Sequence, residues 1–320
     1  MGGRRRIALW VALCFLLPNF LGFLVFTVGP VLFSVGASFT DWDLQGVEST
    51  RIVGLDNYGS IITDTQFWLY FVNTVYFMLG LPISLFGSLA VAVMLSNKIR
   101  GLVAYRTLLY LPSVTAGVAT MLLWKSLYNP EFGPVNAALE GFFRGIGFSD
   151  FQGPRWLLST QNIFGLGVEK VSIVGSQFGI GAREALLLMG VWGSFGGANM
   201  ILYLAALTNV PQELTEAAEL DGAGRWQTFR NVTWPQLAPT TFFIVVMGVI
   251  GGMQGGFEQA RVMTQGGPAG VTTTLSYYIY NKAFTEYQLG YASAVAMILF
   301  VIILIFTLIN WKFGNKEVNY

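Results

Sequence analysis

The chain has no histidine, one cysteine and only 11% charged residues among its 320. Each shortage removes a class of chemistry. Without histidine the commonest proton shuttle and metal ligand is missing. Cys14 stands alone inside an apolar run, so it closes no internal disulfide and builds no thiolate cluster. Lys and Arg number 18 against 17 Asp and Glu, a net charge of +1, which implies no basic surface for nucleic acid. No G-x-x-x-x-G-K-[ST] phosphate loop occurs, so ATP is not bound through that motif and the chain alone should not hydrolyse it. With no cysteine pair and no converging carboxylates in the apolar runs either, an enzyme is the reading these residues support least.

What is abundant is apolar surface: 54% of the residues are hydrophobic, far too many for an ordinary soluble domain. A hydrocarbon core of roughly 30 Å needs about 20 apolar residues in a helix. Six segments approach or exceed that length, near 8 to 37, 69 to 95, 104 to 124, 185 to 208, 238 to 257 and 288 to 311. The expectation is an all-α membrane protein with six transmembrane helices. Arg4, Arg5 and Arg6 give the first segment the look of a signal peptide. Its apolar run, however, exceeds the usual core of about 7 to 15 residues and shows no clear small-residue cleavage site, so it reads as a retained span.

Orientation follows from the cations flanking the spans, which are retained on the cytoplasmic side. An even number of spans puts both termini on one side. With that side cytoplasmic, the inner pieces carry Arg4, Arg5, Arg6, Lys98, Arg100, Arg106, Arg225, Arg230, Lys312 and Lys316. The outer loops then hold most of the acids, among them Asp41, Asp43, Asp56, Asp64, Glu131, Asp150, Glu169, Glu258 and Glu286. On these boundaries, with Arg106 at the inner end of the third span counted with the loop before it, no Asp, Glu, Lys or Arg falls inside a span. Carriers driven by protons or sodium usually bury an ionisable group or build an ion site on broken helices, and neither is evident here. If transport is active, energy enters through another subunit.

The most informative segment is polar and runs from Glu216 to Pro235 between the fourth and fifth spans. Helix formers extend from Glu213 to Leu220, Gly222 and Gly224 permit a reversal, and Pro235 and Pro239 mark where the next span can begin. Residue chemistry alone fits either a docking element or a solvated amphipathic connector. The outer segment from Lys125 to Arg183 is about 60 residues, too long for a plain connector. Within it Asn129 to Pro134 is a turn cluster, Val135 to Arg144 has helical spacing, and Gly165 to Gly181 is punctuated by glycine.

The spacing of E-A-A, D-G-A, F and a final P in the Glu216 segment resembles the EAA loop of ATP-binding-cassette importer permeases. Other stretches extend the resemblance: Asn199-Met-Ile-Leu, Met263-Thr-Gln-Gly-Gly-Pro268, Thr273 to Phe284, Val53 to Tyr58 and Tyr128 to Gly133. Together they are similar to the sugar-importing branch, in particular to the maltose-type first permease subunit, from about residue 50 onward. The resemblance implies a type I importer permease fold with a cytoplasmic coupling loop. Residues 1–68 would be an N-terminal span and first outer loop, 69–312 the permease core with coupling loop 209–237, and 313–320 a cytoplasmic tail.

The same resemblance implies that Glu216, Ala217, Ala218, Asp221, Gly222, Phe229 and Pro235 form the ATPase-coupling element. Glu216 would offer a carboxylate to a cation of the ATPase, Ala217 and Ala218 keep the helix slim, and Gly222 turns the chain. Asp221 would cap the next segment or bond locally to backbone amides, and Phe229 would pack the loop against the spans. Pathway positions would be Ser113, Gly117, Ser194, Asn199, Met253, Gln254 and Gly256, with Trp192, Phe195 and Phe257 placed to meet a sugar ring. Intramembrane Ser and Asn also act as glue between helices, and glycine runs such as Gly248 to Gly256 also let helices approach closely.

The implied partners are a second permease subunit, a dimer of ATP-binding subunits that holds ATP and Mg, an extracytoplasmic solute-binding protein and the bilayer. No cofactor or metal is expected in this chain. The outer loop would form part of the binding-protein dock or simply cap the spans, and the Gln265 to Pro268 turn is a further contact or a plain reversal. Small or apolar residues such as Gly117, Ala198 and Gly256 stand where the maltose-type pocket has aromatic and amide groups, which leaves solute selection to the external protein. The competing reading is a passive channel or membrane scaffold, and within the importer class the alternative cargo is a polyol or glycerol phosphate.

Overall fold

The computed structural model describes residues 2–43, 50–97, 100–115, 117–165 and 179–318. Lys98, Glu169 and most of the glycine-punctuated stretch after Gly165 lie outside them. Among the described residues the architecture is helical, with extended pairing limited to isolated bridges such as Thr40 with Ile52. Five helices are long and apolar enough to cross a membrane. They are α1 (Leu13–Ala37), α2 (Thr65–Ser96), α6 (Ala182–Thr208), α8 (Arg225–Thr264) and α9 (Leu289–Lys312). A sixth span is formed if α3 (Leu102–Val114) and α4 (Gly117–Leu127), bent by 93° from one another, count as one. Two further helices carry loops: α5 (Pro134–Gly145) and α7 (Gln212–Leu220).

Two expected boundaries are corrected. The fourth span begins at Ala182 rather than 185, which brings Arg183 and Glu184 into the helix, at 1% and 3% exposure. The fifth is not 238 to 257: α8 runs over 40 residues, helical from Arg225 through Gln254, broken at Gly255 and Gly256, and helical again to Thr264. Pro235 and Pro239 therefore lie within it and do not mark its start. A π turn, Phe229–Thr233, precedes Pro235, so the missing N–H falls where the regular i to i−4 ladder is already interrupted. The charge-free description of the spans fails with these boundaries, because α8 also carries Arg225, Arg230, Glu258 and Arg261.

The chain separates into two compact units, one of residues 1–64 with 279–300, the other of residues 65–278 with 301–320. Within the first, the segment after α1 is pinned by side chains from the short helix Asp56–Thr63. Asn57 Nδ2 donates to Ser38 O at 2.9 Å and Thr40 O at 2.8 Å, and the Tyr58 and Ser38 hydroxyls meet at 2.7 Å. Tyr291 donates to Asp64 Oδ2 at 2.9 Å.

In the second unit the central core joins Leu85, Leu89, Ala92 and Leu95 of α2 to Met200, Tyr203 and Leu204 of α6 and to Leu237 and Ile244 of α8. In lipid such contacts hold through close packing rather than escape from water. A second cluster ties the outer loop down through Met121, Tyr128, Trp156, Ala185 and Met263. That loop is a built structure. Asn129 Oδ1 accepts from Glu131 N and Phe132 N at 2.9 and 3.2 Å, and Trp156 Nε1 donates to Asn136 Oδ1 of α5 at 2.6 Å. Tyr128 OH donates to Ala185 O at 3.0 Å, and burial pushes its phenol above the ordinary value.

Candidate functional site

Two places in the second unit gather the residues singled out from the sequence. The first is α7 and its surroundings. Its apolar content is low and none of its residues is buried. Gln212, Thr215 and Glu219, spaced for one helical face, line a cavity of about 780 Å³ shared with Arg106, Thr208 and Arg225. Glu213, Glu216, Ala217 and Leu220 are all exposed, Leu220 to 89%. Gly222, at φ +81°, makes the reversal that an L side chain would resist. Asp221 ends α7 through its backbone, whereas the reach-back bond at the start of α8 comes from Gln227 Oε1, which accepts from Gly224 N at 2.8 Å. Phe229 and Trp234 pack against the central core, and Trp226 stacks on Phe229 with 5.7 Å between centroids while remaining 70% exposed.

The second place is a cavity of about 310 Å³ between α2, α6 and α8, at the lower end of small-molecule sites. Of the expected pathway residues it brings together Ser194, Asn199 and Gly256. Sequence reasoning missed Ser84 and Gln259, which also line it. No spacing signal could have paired Ser84 with Ser194, 110 residues apart, whose hydroxyls bond to each other. The other expected positions lie elsewhere. Met253 is fully buried in the packing. Gln254 is exposed, and its carbonyl accepts from Ser276 Oγ at 2.7 Å. Ser113 is exposed and donates to Tyr110 O at 2.7 Å. A Cβ on Gly117 would stand 3.4 Å from Glu258 Oε2. Gly256 has a backbone reason of its own: its φ is +83° and a Cβ there would overlap Thr274 Cγ2. The three aromatic residues are engaged with the protein. Trp192 meets Trp124 edge-on at 5.4 Å, Phe195 fills the space over Gly87, and Phe257 lies 6.0 Å from Tyr277.

At the start of α6 lies a buried polar knot absent from the sequence reading. Arg183 Nε and Nη2 both donate to Asn73 Oδ1, at 3.1 and 2.7 Å, and Nε also reaches Val271 O at 3.2 Å. Asn73 Nδ2 donates in turn to Gly270 O and Thr273 O, at 2.8 and 2.9 Å. Glu184 accepts from Tyr76 OH, Ile163 N and Gly181 N. The loop that carries the Gln265 to Pro268 turn is thereby fastened to α2 and α6.

The structure thus sets an exposed helix, α7, at the foot of α8 and a largely apolar cavity with a few polar groups among the apolar helices. The chain belongs to the family of binding-protein-dependent transport system inner membrane components, whose model matches residues 4–313. It is 36% identical over 311 residues to the probable ABC transporter permease protein YesP of Bacillus subtilis, covering 96% of this chain and 91% of that one. The multiple sugar-binding transport system permease protein MsmF of Streptococcus mutans is 32% identical, with 91% of each chain covered. The sn-glycerol-3-phosphate transport system permease protein UgpA of Yersinia pestis is 29% identical, covering 97% of this chain and 96% of its own. A bacterial ABC transporter that imports the acidic polysaccharide alginate, solved in complex with its pentasaccharide-bound periplasmic protein, shares the fold at a TM-score of 0.76 and 22% identity. The match covers 97% of this chain and 96% of that one. The protein is thus an integral inner-membrane permease, a non-catalytic subunit of a binding-protein-dependent transporter.

Proposed function

We propose that the chain forms half of the translocation path of an ATP-driven carbohydrate importer and receives force through α7. The observation that carries this reading is the helix itself, exposed along its length, presenting Glu216 outward and rooted through Phe229 in the core that also holds α2 and α6. Such an element transmits displacement only if a partner grips it differently in two states. The partner is a dimer of ATP-binding subunits that holds ATP and Mg. Glu216 pairs with one of its cations, Ala217 and Ala218 enter its groove, Asp221 and Gly222 end and turn the helix, and Phe229 with Pro235 carries the motion into α8. Both termini and α7 face the cytoplasm, residues 69–312 act as the permease core, and a second permease completes the path. The outer loop, held by Trp156 and Asn136, docks the solute-binding protein.

The carbohydrate assignment draws on the printed cargo of the Streptococcus mutans relative and on the hydroxyl and amide lining of the cavity. Ser194, Asn199 and Gly256 belong to the path directly. Ser113, Gly117, Met253 and Gln254 contribute, if at all, in a differently opened state. A passive channel would need no exposed helix of this kind. The test is co-purification and uptake: a Glu216→Lys chain should insert at normal levels yet lose ATPase recovery or uncouple hydrolysis from transport. Normal uptake by that variant would overturn the coupling role.

A further inference from the structure

The cavity of about 780 Å³ beside α7 is amphiphilic. It lies where α2 and α6 end and α8 begins, since Ser96, Thr208 and Arg225 all line it. The ends of spans stand at the level of lipid headgroups. Its apolar wall is the edge of the central core: Leu204 is buried in that core, and Val93, Leu207 and Phe229 pack against it.

The polar side keeps unspent donors, and most of their charge is positive. Ser96, Thr208 and Thr228 give their hydroxyl hydrogens to the carbonyls of Val93, Ala205 and Gly224, and Asn97 Nδ2 donates to Val93 O at 3.0 Å. The free donors that line the cavity are therefore the two guanidiniums with Gln212, Thr215 and Thr233. Arg106, in the second turn of α3, spends Nη2 on Leu95 O at 3.2 Å and keeps Nε and Nη1. Arg225 is exposed, and among the described residues its side chain makes neither a hydrogen bond nor an ion pair. Glu219 is the acid in the described lining and pairs with neither arginine. Two guanidiniums against one carboxylate leave a formal charge of +1.

Gln212, Thr215 and Glu219 turn one face of α7 to this cavity, whereas Glu213, Glu216, Ala217 and Leu220 are exposed on a different face. A protein that grips the outward face leaves the space beside the span ends to a smaller occupant. Apolar wall and guanidiniums together suit an amphiphile with an anionic head, because Arg matches phosphate oxygens bidentately and basic pockets between spans take lipid heads.

We propose that this cavity holds the head of an anionic phospholipid from the adjoining leaflet, its phosphodiester taken by Arg106 and Arg225 and its upper acyl chains laid along Val93, Leu207 and Phe229. A phosphodiester with an uncharged headgroup carries one negative charge, which balances the lining; a zwitterionic head does not. The inference uses only the membrane class and this cavity, so it stands or falls apart from the coupling role of Glu216.

The experiment uses the full chain, purified in a mild detergent, titrated with phosphatidylglycerol or phosphatidylcholine and read by native mass spectrometry. Phosphatidylglycerol should be retained about fivefold or more above phosphatidylcholine. Arg106→Gln and Arg225→Gln should each lower its occupancy about fivefold, the worth of one cation near an anionic lipid surface, and Glu219→Gln should raise it. Arg106 anchors Leu95 O, but Arg225 is unbonded, so its variant should keep the thermal midpoint and isolates the charge from the fold. Glycerophosphoglycerol, the same head without chains, should not displace the lipid at equal concentration. Equal retention of the two lipids, displacement by the chainless head, or an occupancy unmoved by both arginine variants would each overturn the inference. If Arg225→Gln spares the lipid and instead loses the ATPase in pull-downs, the guanidinium serves the protein partner and the inference falls.

Discussion

The knot at the head of α6 allows two similar-looking substitutions to be ranked before they are made. In Asn73→Ala the guanidinium of Arg183 loses the oxygen that accepts from both Nε and Nη2, and keeps only Val271 O at 3.2 Å. Gly270 O and Thr273 O lose their donor at the same time. The guanidinium, 1% exposed, keeps the Tyr76 ring at 5.5 Å and the Glu184 carboxylate beside it but loses both charge-assisted bonds to Asn73, a loss of about 3–5 kcal/mol for the two. In Arg183→Met the charge leaves with its desolvation cost. What remains is Asn73 Oδ1 and Val271 O without a donor, at about 1–3 kcal/mol each, offset in part by the apolar fill. The net loss should be about 2 kcal/mol. Arg183→Met is therefore the milder change, and adding it to Asn73→Ala should recover stability rather than lose more. Thermal unfolding of the detergent-solubilised protein, followed by tryptophan fluorescence, gives the order of midpoints, and the double variant closes the cycle. If Arg183→Met proves the worse of the two, or if the two losses simply add, the account of Asn73 as the partner that makes this cation tolerable is wrong.

Close backbone approach gives a second pair. A Cβ on Gly196 would stand inside the Leu109 carbonyl, whereas one on Gly193 meets nothing within 4 Å. Gly196→Ala should lower yield and thermal midpoint sharply and Gly193→Ala should not, as a parallel purification would show. Trp156→Phe removes the donor to Asn136 Oδ1, should cost about 1–2 kcal/mol, and should speed proteolysis of residues 130–158. Trp226→Ala takes away a ring that is 70% exposed and stacked on Phe229. It should reduce recovery of the ATPase in pull-downs with little change in the permease's own midpoint.

The length of the apolar runs found the membrane class, five spans and the bent pair α3 and α4 that makes a sixth if counted as one, because about 20 apolar residues in a row are a local property needing no partner to be recognised. It misplaced the ends of α6 and α8 for the same reason. Arg183 and Glu184 read as loop residues since charge is costly in an apolar setting, and only the fold supplies Asn73, 110 residues away, as the compensating group. Pro235 and Pro239 read as breakers, yet the helix runs through both, and the π turn at Phe229–Thr233 that precedes Pro235 is a matter of helix geometry.

The polar segment between α6 and α8 was legible for a different reason: its helix formers, glycine reversal and aromatic root lie within about one loop's length, so α7 formed where propensity placed it. The cavity was not. Ser194, Asn199 and Gly256 were picked by position, but Ser84 and Gln259 were missed and Met253 proved to be packing. Local order along the chain is set by neighbours in sequence, and this protein's sequence determined which stretches are helices and which are apolar enough to cross a membrane. A binding surface is set by which helices meet and how they are rotated. Only tertiary structure decided that Ser84 and Ser194, 110 residues apart, would bond to each other and that Glu258 would stand beside Gly117.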